Sequence, residues 1–263
     1  MKNKKTSLVI ATAITFAACG QMSGSRDGSP AFETVTVEKS VSISSEQDAP
    51  QCSVRLQIAS AKDNDNEKAK AINNAIAERL LDMEGLTLQQ AADSFANSYT
   101  RNYVRDFAPL YREDRNDPEK RAWYQYHYNI TSEAAGGRKG ITVYTATIDY
   151  YEGGAHGINQ RIVMNIDNQT GKVLELNDVF VPGYETVLNE KLTQALLEKT
   201  DARDIGELRN RGYLYSMDMF APENFVLGKE NITFIYNAYE IASYSEGIIE
   251  LALDYNDLEE IWK

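Results

Sequence analysis

The apolar spacing of this chain switches repeatedly between a period of two and a helical period, and that alternation limits the fold more than any single motif. Val35, Val37, Val41 and Ile43 share one face of an alternating run, and Cys52, Val54, Leu56 and Ile58 alternate with Ser53, Arg55 and Gln57. Two half-buried strands joined across Ser44 to Gln51 are expected. The step then becomes helical through Ala69, Ile72, Ile76 and Leu80, with Asn64 and Glu67 placed as a cap and Gly85 as a stop. Asp63 to Glu67 is acidic, but it lacks the glycine and the terminal bidentate glutamate of a calcium loop. Thr87 with Gln90 forms a second capping box, and Leu88, Ala92, Phe95, Tyr99, Tyr103 and Phe107 continue at helical spacing until Asp117-Pro118.

From Arg121 the period returns to two. Tyr124, Tyr126, Tyr128 and Ile130 alternate with Trp123, Gln125, His127 and Asn129, and a turn at Ala135-Gly136-Gly137 leads into Val143 to Ile148. A glycine-rich loop at 152–157 precedes the strand of Ile162, Met164 and Ile166, and Asp167 to Gly171 makes a hairpin turn into Val173–Leu176. Val187, Leu188, Lys191, Leu192, Ala195 and Leu196 fit a helix, and 204–219 is partly helical. Strands follow at Phe225–Leu227, Ile232–Tyr236 and Ile248–Leu253, and Leu258 and Ile261 sit on a last amphipathic turn. Runs of strands separated by runs of helices predict an α+β fold: antiparallel sheet or sheets with helices packed on one face.

The first residues carry an address. Lys4-Lys5 and a mostly apolar stretch from Leu8 to Ala18 end in Phe16-Ala17-Ala18-Cys19. A charged region, a short apolar core and small residues before the cut define a secretory signal, and a cysteine just after them resembles the bacterial lipobox. The stretch is too short to span a bilayer, which needs about 20 apolar residues. The expected organisation is a lipoprotein signal peptide at 1–18, a Gly- and Ser-rich tether at 19–31 whose Cys19 is lipidated, and a single α+β domain at 32–263. Each buried CH₂ of an acyl chain contributes roughly 0.8 kcal/mol, so two or three chains on Cys19 give a stable anchor. Gly20 is not acidic, so the enterobacterial inner-membrane retention signal is lacking and the outer membrane is expected.

Losing Lys2, Lys4 and Lys5 with the leader takes 27 basic residues to 24, against 39 acidic ones, a net charge of −15. Such a surface repels nucleic-acid phosphate and favours a basic partner. Cys52 is the one cysteine besides Cys19, so no internal disulfide can form. Its place on the apolar side of a strand predicts a buried, inert thiol.

Among groups that could carry chemistry, Tyr150-Tyr151-Glu152-Gly153-Gly154-Ala155-His156-Gly157 stands out. His156 with Glu152 or Asp149 could serve a hydrolase, although no nucleophile motif or zinc spacing accompanies it. The two histidines, His127 and His156, are too few for a zinc site without carboxylates. His127 reads as a sheet-surface residue. No phosphate loop or dinucleotide fingerprint occurs, so no cofactor is expected.

The segment Tyr151 to Gly157, the Asp167-Asn168-Gln169-Thr170-Gly171-Lys172 hairpin, Leu176-Asn177-Asp178-Val179-Phe180 and Tyr239-Glu240-Ile241-Ala242-Ser243-Tyr244 with Gly247 occur in the order and spacing of one family. The chain resembles the extracytoplasmic domain of RsiV-type anti-sigma factors, also found in secreted peptidoglycan deacetylases and in lipoproteins of unknown function. Ser243 stands where that family usually has proline, and Ser245-Glu246 where it has small apolar residues. The resemblance implies an α+β domain, and its best understood member type binds lysozyme. Neither an amino-terminal cytoplasmic region with a membrane helix nor a deacetylase domain is expected here. The expected function is a lipid-anchored, non-catalytic envelope binding module. Its ligand would be a cell-wall fragment, a polysaccharide or a basic protein such as lysozyme. The binding surface is placed at Tyr150, Tyr151, Glu152, Gly153, Gly154, His156, Tyr239 and Tyr244. The alternatives are a hydrolase using His156 and a purely structural envelope lipoprotein.

Overall fold

The computed structural model describes residues 28–62 and 66–263. The signal peptide, Cys19, most of the tether and the proposed Asn64 cap lie outside the described residues.

Strands β1 (Phe32–Ser42) and β2 (Gln51–Ala61) pair antiparallel, with Val37 opposite Leu56. Helices α1 (Glu67–Leu81), α2 (Leu88–Asp114) and α3 (Pro118–Ala122) then carry the chain across one face of the sheet. The next strand, β3 (Tyr126–Gly136), therefore runs parallel to β2, placing Tyr126 beside Cys52. This one parallel pair departs from the all-antiparallel expectation, and the cause is the helical crossover that parallel neighbours require. Strands β4 (Ile141–Tyr151), β5 (Ile158–Asp167) and β6 (Val173–Leu174) complete an antiparallel meander in a six-stranded sheet ordered as the chain runs.

Alternation decides which side of this sheet is covered. Val54, Leu56 and Ile58 of β2, with Tyr144, Ala146 and Ile148 of β4, pack against Ile72, Ile76 and Leu80 of α1 and Leu88, Ala92 and Ala96 of α2. The intervening residues Arg55, Asn129, Asp149 and Tyr151 fall on the other, polar side. The Thr87–Gln90 capping box forms as expected, and Asp117 caps α3 at Pro118. Helix α1 is capped by Asn66, whose side chain accepts from Lys68 N, and not by the expected Asn64, because the helix begins at Glu67. It ends at Asp82, in the left-handed region at φ 53, ahead of Gly85. Aspartate tolerates that conformation because its short side chain can bond locally.

The second half builds its own core. Helices α4 (Leu176–Val179), α5 (Glu185–Thr200) and α6 (Ile205–Asn210) precede a three-stranded antiparallel sheet of β7 (Phe225–Leu227), β8 (Asn231–Tyr236) and β9 (Ile249–Asp254). Leu188, Leu192 and Leu196 lie against Ile232, Phe234, Tyr236 and Leu251, and the terminal Leu258 and Ile261 close the cluster.

Asparagines join the two sheets. Val143 and Val163 of the large sheet meet Ile235 of the small one. Asn165 donates to Phe225 O and accepts from Leu227 N, both at 2.8 Å. Where β6 is too short to cover β5, Asn224 accepts from Val163 N at 2.8 Å and Asn237 accepts from Arg161 N at 2.7 Å. These buried amides satisfy backbone groups that burial would otherwise leave orphaned.

Candidate functional site

The glycine-rich loop between β4 and β5 is held by its shape. Gly153 has φ +85, and a Cβ there would lie 2.9 Å from Trp123 O, so the backbone passes closer to the end of α3 than any side chain permits. Tyr151 donates its hydroxyl to Gly154 O at 2.9 Å, which closes the loop. His156 is thereby presented on the surface.

Its imidazole stacks on the ring of Tyr244, with centroids 3.8 Å apart and planes 12° from parallel. Nδ1 lies 3.2 Å from Gly157 O, and Nε2 lies 3.3 Å from the Tyr239 hydroxyl. Tyr244 donates to Gly157 O at 2.8 Å, and the Tyr239 and Tyr244 rings are 5.6 Å apart. Tyr244 opens a 3-10 turn ahead of β9, and Tyr239 sits in the turn after β8.

Tyr239 is 59% exposed and has φ +73, a conformation that costs a bulky side chain of order 1–3 kcal/mol. The surrounding structure enforces it. Asn237 is bonded to the backbone of Arg161, and Glu240 accepts from Asn237 N at 2.9 Å. Burial holds the Glu240 carboxyl above its ordinary pKa.

The other sequence candidates divide between the faces of β4. Tyr150 points to the helix side and stacks on Tyr128 at 5.5 Å. Glu152 accepts a 2.7 Å hydrogen bond from Tyr99 of α2. Burial first, then that bond, pushes the Tyr99 phenol far up. Tyr150 and Glu152 therefore serve an aromatic cluster beneath α2, away from His156. Tyr151 lies on the polar side, stacked on His127 at 6.3 Å. His127 Nε2 is 3.1 Å from Asp149 Oδ2, and Asn129 donates to the same oxygen at 3.1 Å. The Asn129 Oδ1 atom is buried without a hydrogen-bond partner among the described residues. The Asp149 carboxylate fixes that orientation, because it requires the amide nitrogen to face it.

The carboxylates that could have oriented His156 for catalysis are thus engaged elsewhere: Asp149 by His127 and Asn129, Glu152 by Tyr99. Among the described residues no group of three or more His, Cys, Asp or Glu side chains could hold a metal ion. Cys52 is fully buried, and desolvation first, then the Glu152 charge, pushes its thiol up to about 12.

The sequence reading missed the His127–Asp149 pair. Both residues alternate onto one face of their strands, yet the register that places Asn129 opposite Asp149 is set by tertiary pairing. It also missed Asn237, since a buried amide at a strand end has no periodic signal.

Residues 177–256 match the model of a family described as a protein of unknown function, DUF3298. That segment contains Tyr239 and Tyr244 and leaves out His156. A member of the DUF3298 family from Bacteroides fragilis is similar at 27% identity and a TM-score of 0.80, over 90% of this chain and 95% of that one. A DUF3298 family protein from Pseudomonas aeruginosa shares the fold with a TM-score of 0.61 at 19% identity, over 90% of this chain and 96% of its own. No curated protein matches the chain at a significant level.

Proposed function

We propose that this chain is a non-catalytic binding module of the bacterial envelope, anchored through lipid on Cys19. Its ligand meets His156, Tyr239 and Tyr244, with the polar strip of Tyr151, His127, Asn129 and Asp149 beside them. One observation carries the reading: an exposed tyrosine held at φ +73 against a stacked histidine and a second tyrosine. Backbone strain of that kind collects at functional positions. Exposed, rigid aromatic rings supply contact area at small entropic cost.

The ligand classes that fit are a cell-wall fragment, a polysaccharide, or a basic protein such as lysozyme. The acidic balance, net −12 for the whole chain, favours the basic protein electrostatically and disfavours nucleic acid. Among the described residues the two ring nitrogens of His156 meet Gly157 O and the Tyr239 hydroxyl, so a hydrolase centred on it lacks an orienting carboxylate there. The test is retention of lysozyme and of solubilised cell-wall fragments on the immobilised protein at low and at high salt. Specific capture of either class supports the module. A salt-sensitive signal marks the basic protein, and failure to hold any of them at low salt removes the reading.

A further inference from the structure

The two edges of the six-stranded sheet are finished differently. At the β5–β6 edge, β6 has two residues, and the exposed part of β5 is bonded by Asn224 and Asn237. At the other edge, β1 is an eleven-residue strand whose sheet partner is β2 alone. Among the described residues, no backbone hydrogen bond from another element reaches its outer side. A long open edge is a template for another strand, and proteins that keep one monomeric blunt it with bulges, prolines or misplaced charge. Strand β1 keeps full register with β2 from Phe32 to Ser42 and contains no proline, and of its two helix-side charges Lys39 is half-buried and bonded to Asn97 of α2 while Glu33 is exposed.

Two of its three charges, Glu33 and Lys39, can pair across a second copy. In an antiparallel pairing of two copies about a two-fold axis at Thr36, Thr36 faces Thr36. Val35 then faces Val37, Thr34 faces Glu38, and Glu33 faces Lys39, each twice by symmetry. Opposite charges, β-branched pairs and threonine pairs are the combinations that stabilise neighbouring strands. Glu33, Thr34, Thr36 and Glu38 are exposed, and Val35, Val37 and Lys39 are half-buried. Lys39 also donates to Asn97 of α2, which holds its ammonium on the helix side of the strand.

We infer that β1 is a self-association edge through which two copies of this chain join their large sheets, antiparallel and centred on Thr36. Two-fold symmetry makes the contact isologous and closed, so it yields a dimer and no fibre. A single strand pair is a small interface, and exchange between monomer and dimer is the expected behaviour.

Disulfide trapping of the full chain in native membranes tests this. Under mild oxidation Thr36→Cys should give a dimer on a non-reducing gel. Thr34→Cys, also exposed but opposite Glu38, should give little, as should the parent protein, whose Cys52 is buried and whose Cys19 thiol the proposed lipid blocks. Adding Glu33→Lys to Thr36→Cys sets like charges against Lys39 and should cut the dimer band several-fold. Adding Lys39→Glu as well should restore it, which a merely unfolded strand would not do. Equal trapping at positions 34 and 36, no trapping at 36, or no response to the charge reversal would overturn the inference.

Discussion

The imidazole of His156 lies 3.8 Å from the ring of Tyr244 and 12° from parallel to it, which ties the glycine-rich loop of the large sheet to the turn before the last strand of the small one. The surface formed there has its two halves on different sheets. Its geometry is therefore a property of the joined molecule.

Gly153 and Gly154 separate steric from conformational cost in that loop. Both have positive φ, +85 and +93, but a Cβ at Gly153 meets Trp123 O at 2.9 Å, whereas Gly154 has open space. Gly154→Ala should cost about 1 kcal/mol, the penalty of a left-handed alanine. Gly153→Ala should cost clearly more, because the loop must also leave α3. Chemical denaturation of the two variants reads the difference, and equal losses would contradict the close approach.

Asn237 is the fastener between the Tyr239 turn and β5. Asn237→Ala strands Arg161 N and weakens the bonding of Arg161 O. Arg161 N is half-buried, so losing its partner costs about 1 kcal/mol, the low end of the range for a buried donor. Loss of that order in unfolding free energy is expected, with faster amide exchange at Arg161. Unchanged exchange there would show that the amide is not the fastener.

Glu240 sets a pH dependence of known sign. Burial raises its carboxyl pKa in the fold, so the protonated form is favoured there relative to the unfolded chain. The associated stability is complete below the unfolded carboxylate value and is lost as pH rises through the folded one. Glu240→Gln keeps an acceptor for Asn237 N and carries no charge. Its unfolding free energy should gain on that of the parent as pH rises above the ordinary carboxylate value and the raised carboxyl of the parent ionises. A parallel pH profile for the two proteins would contradict the desolvated carboxylate.

Much of this architecture was legible in the residues because burial follows periodicity. Ile72, Ile76 and Leu80 at helical spacing, and Val54, Leu56 and Ile58 in alternation, are buried as their pattern requires. Strands β7, β8 and β9 fall within a residue of their expected bounds. The parallel β2–β3 pair was not legible, since alternation is the same in either direction and the crossover settles the choice. The site divided in the same way. His156, Tyr239 and Tyr244 converge as grouped, whereas Tyr150 and Glu152, adjacent to Tyr151 in sequence, belong to the α2 side. Neighbours on a strand point to opposite faces, and a motif read as one block hides that split.

Tyr239→Gly gives the most direct test of the binding surface, because it separates stability from function. Glycine accepts φ +73 freely, so the variant should unfold at the same temperature as the parent or higher, and above Tyr239→Ala. Titration calorimetry with the captured ligand should show at least a tenfold weaker affinity for it. Parental affinity in Tyr239→Gly, or a loss of affinity that merely follows a loss of stability, would contradict the account.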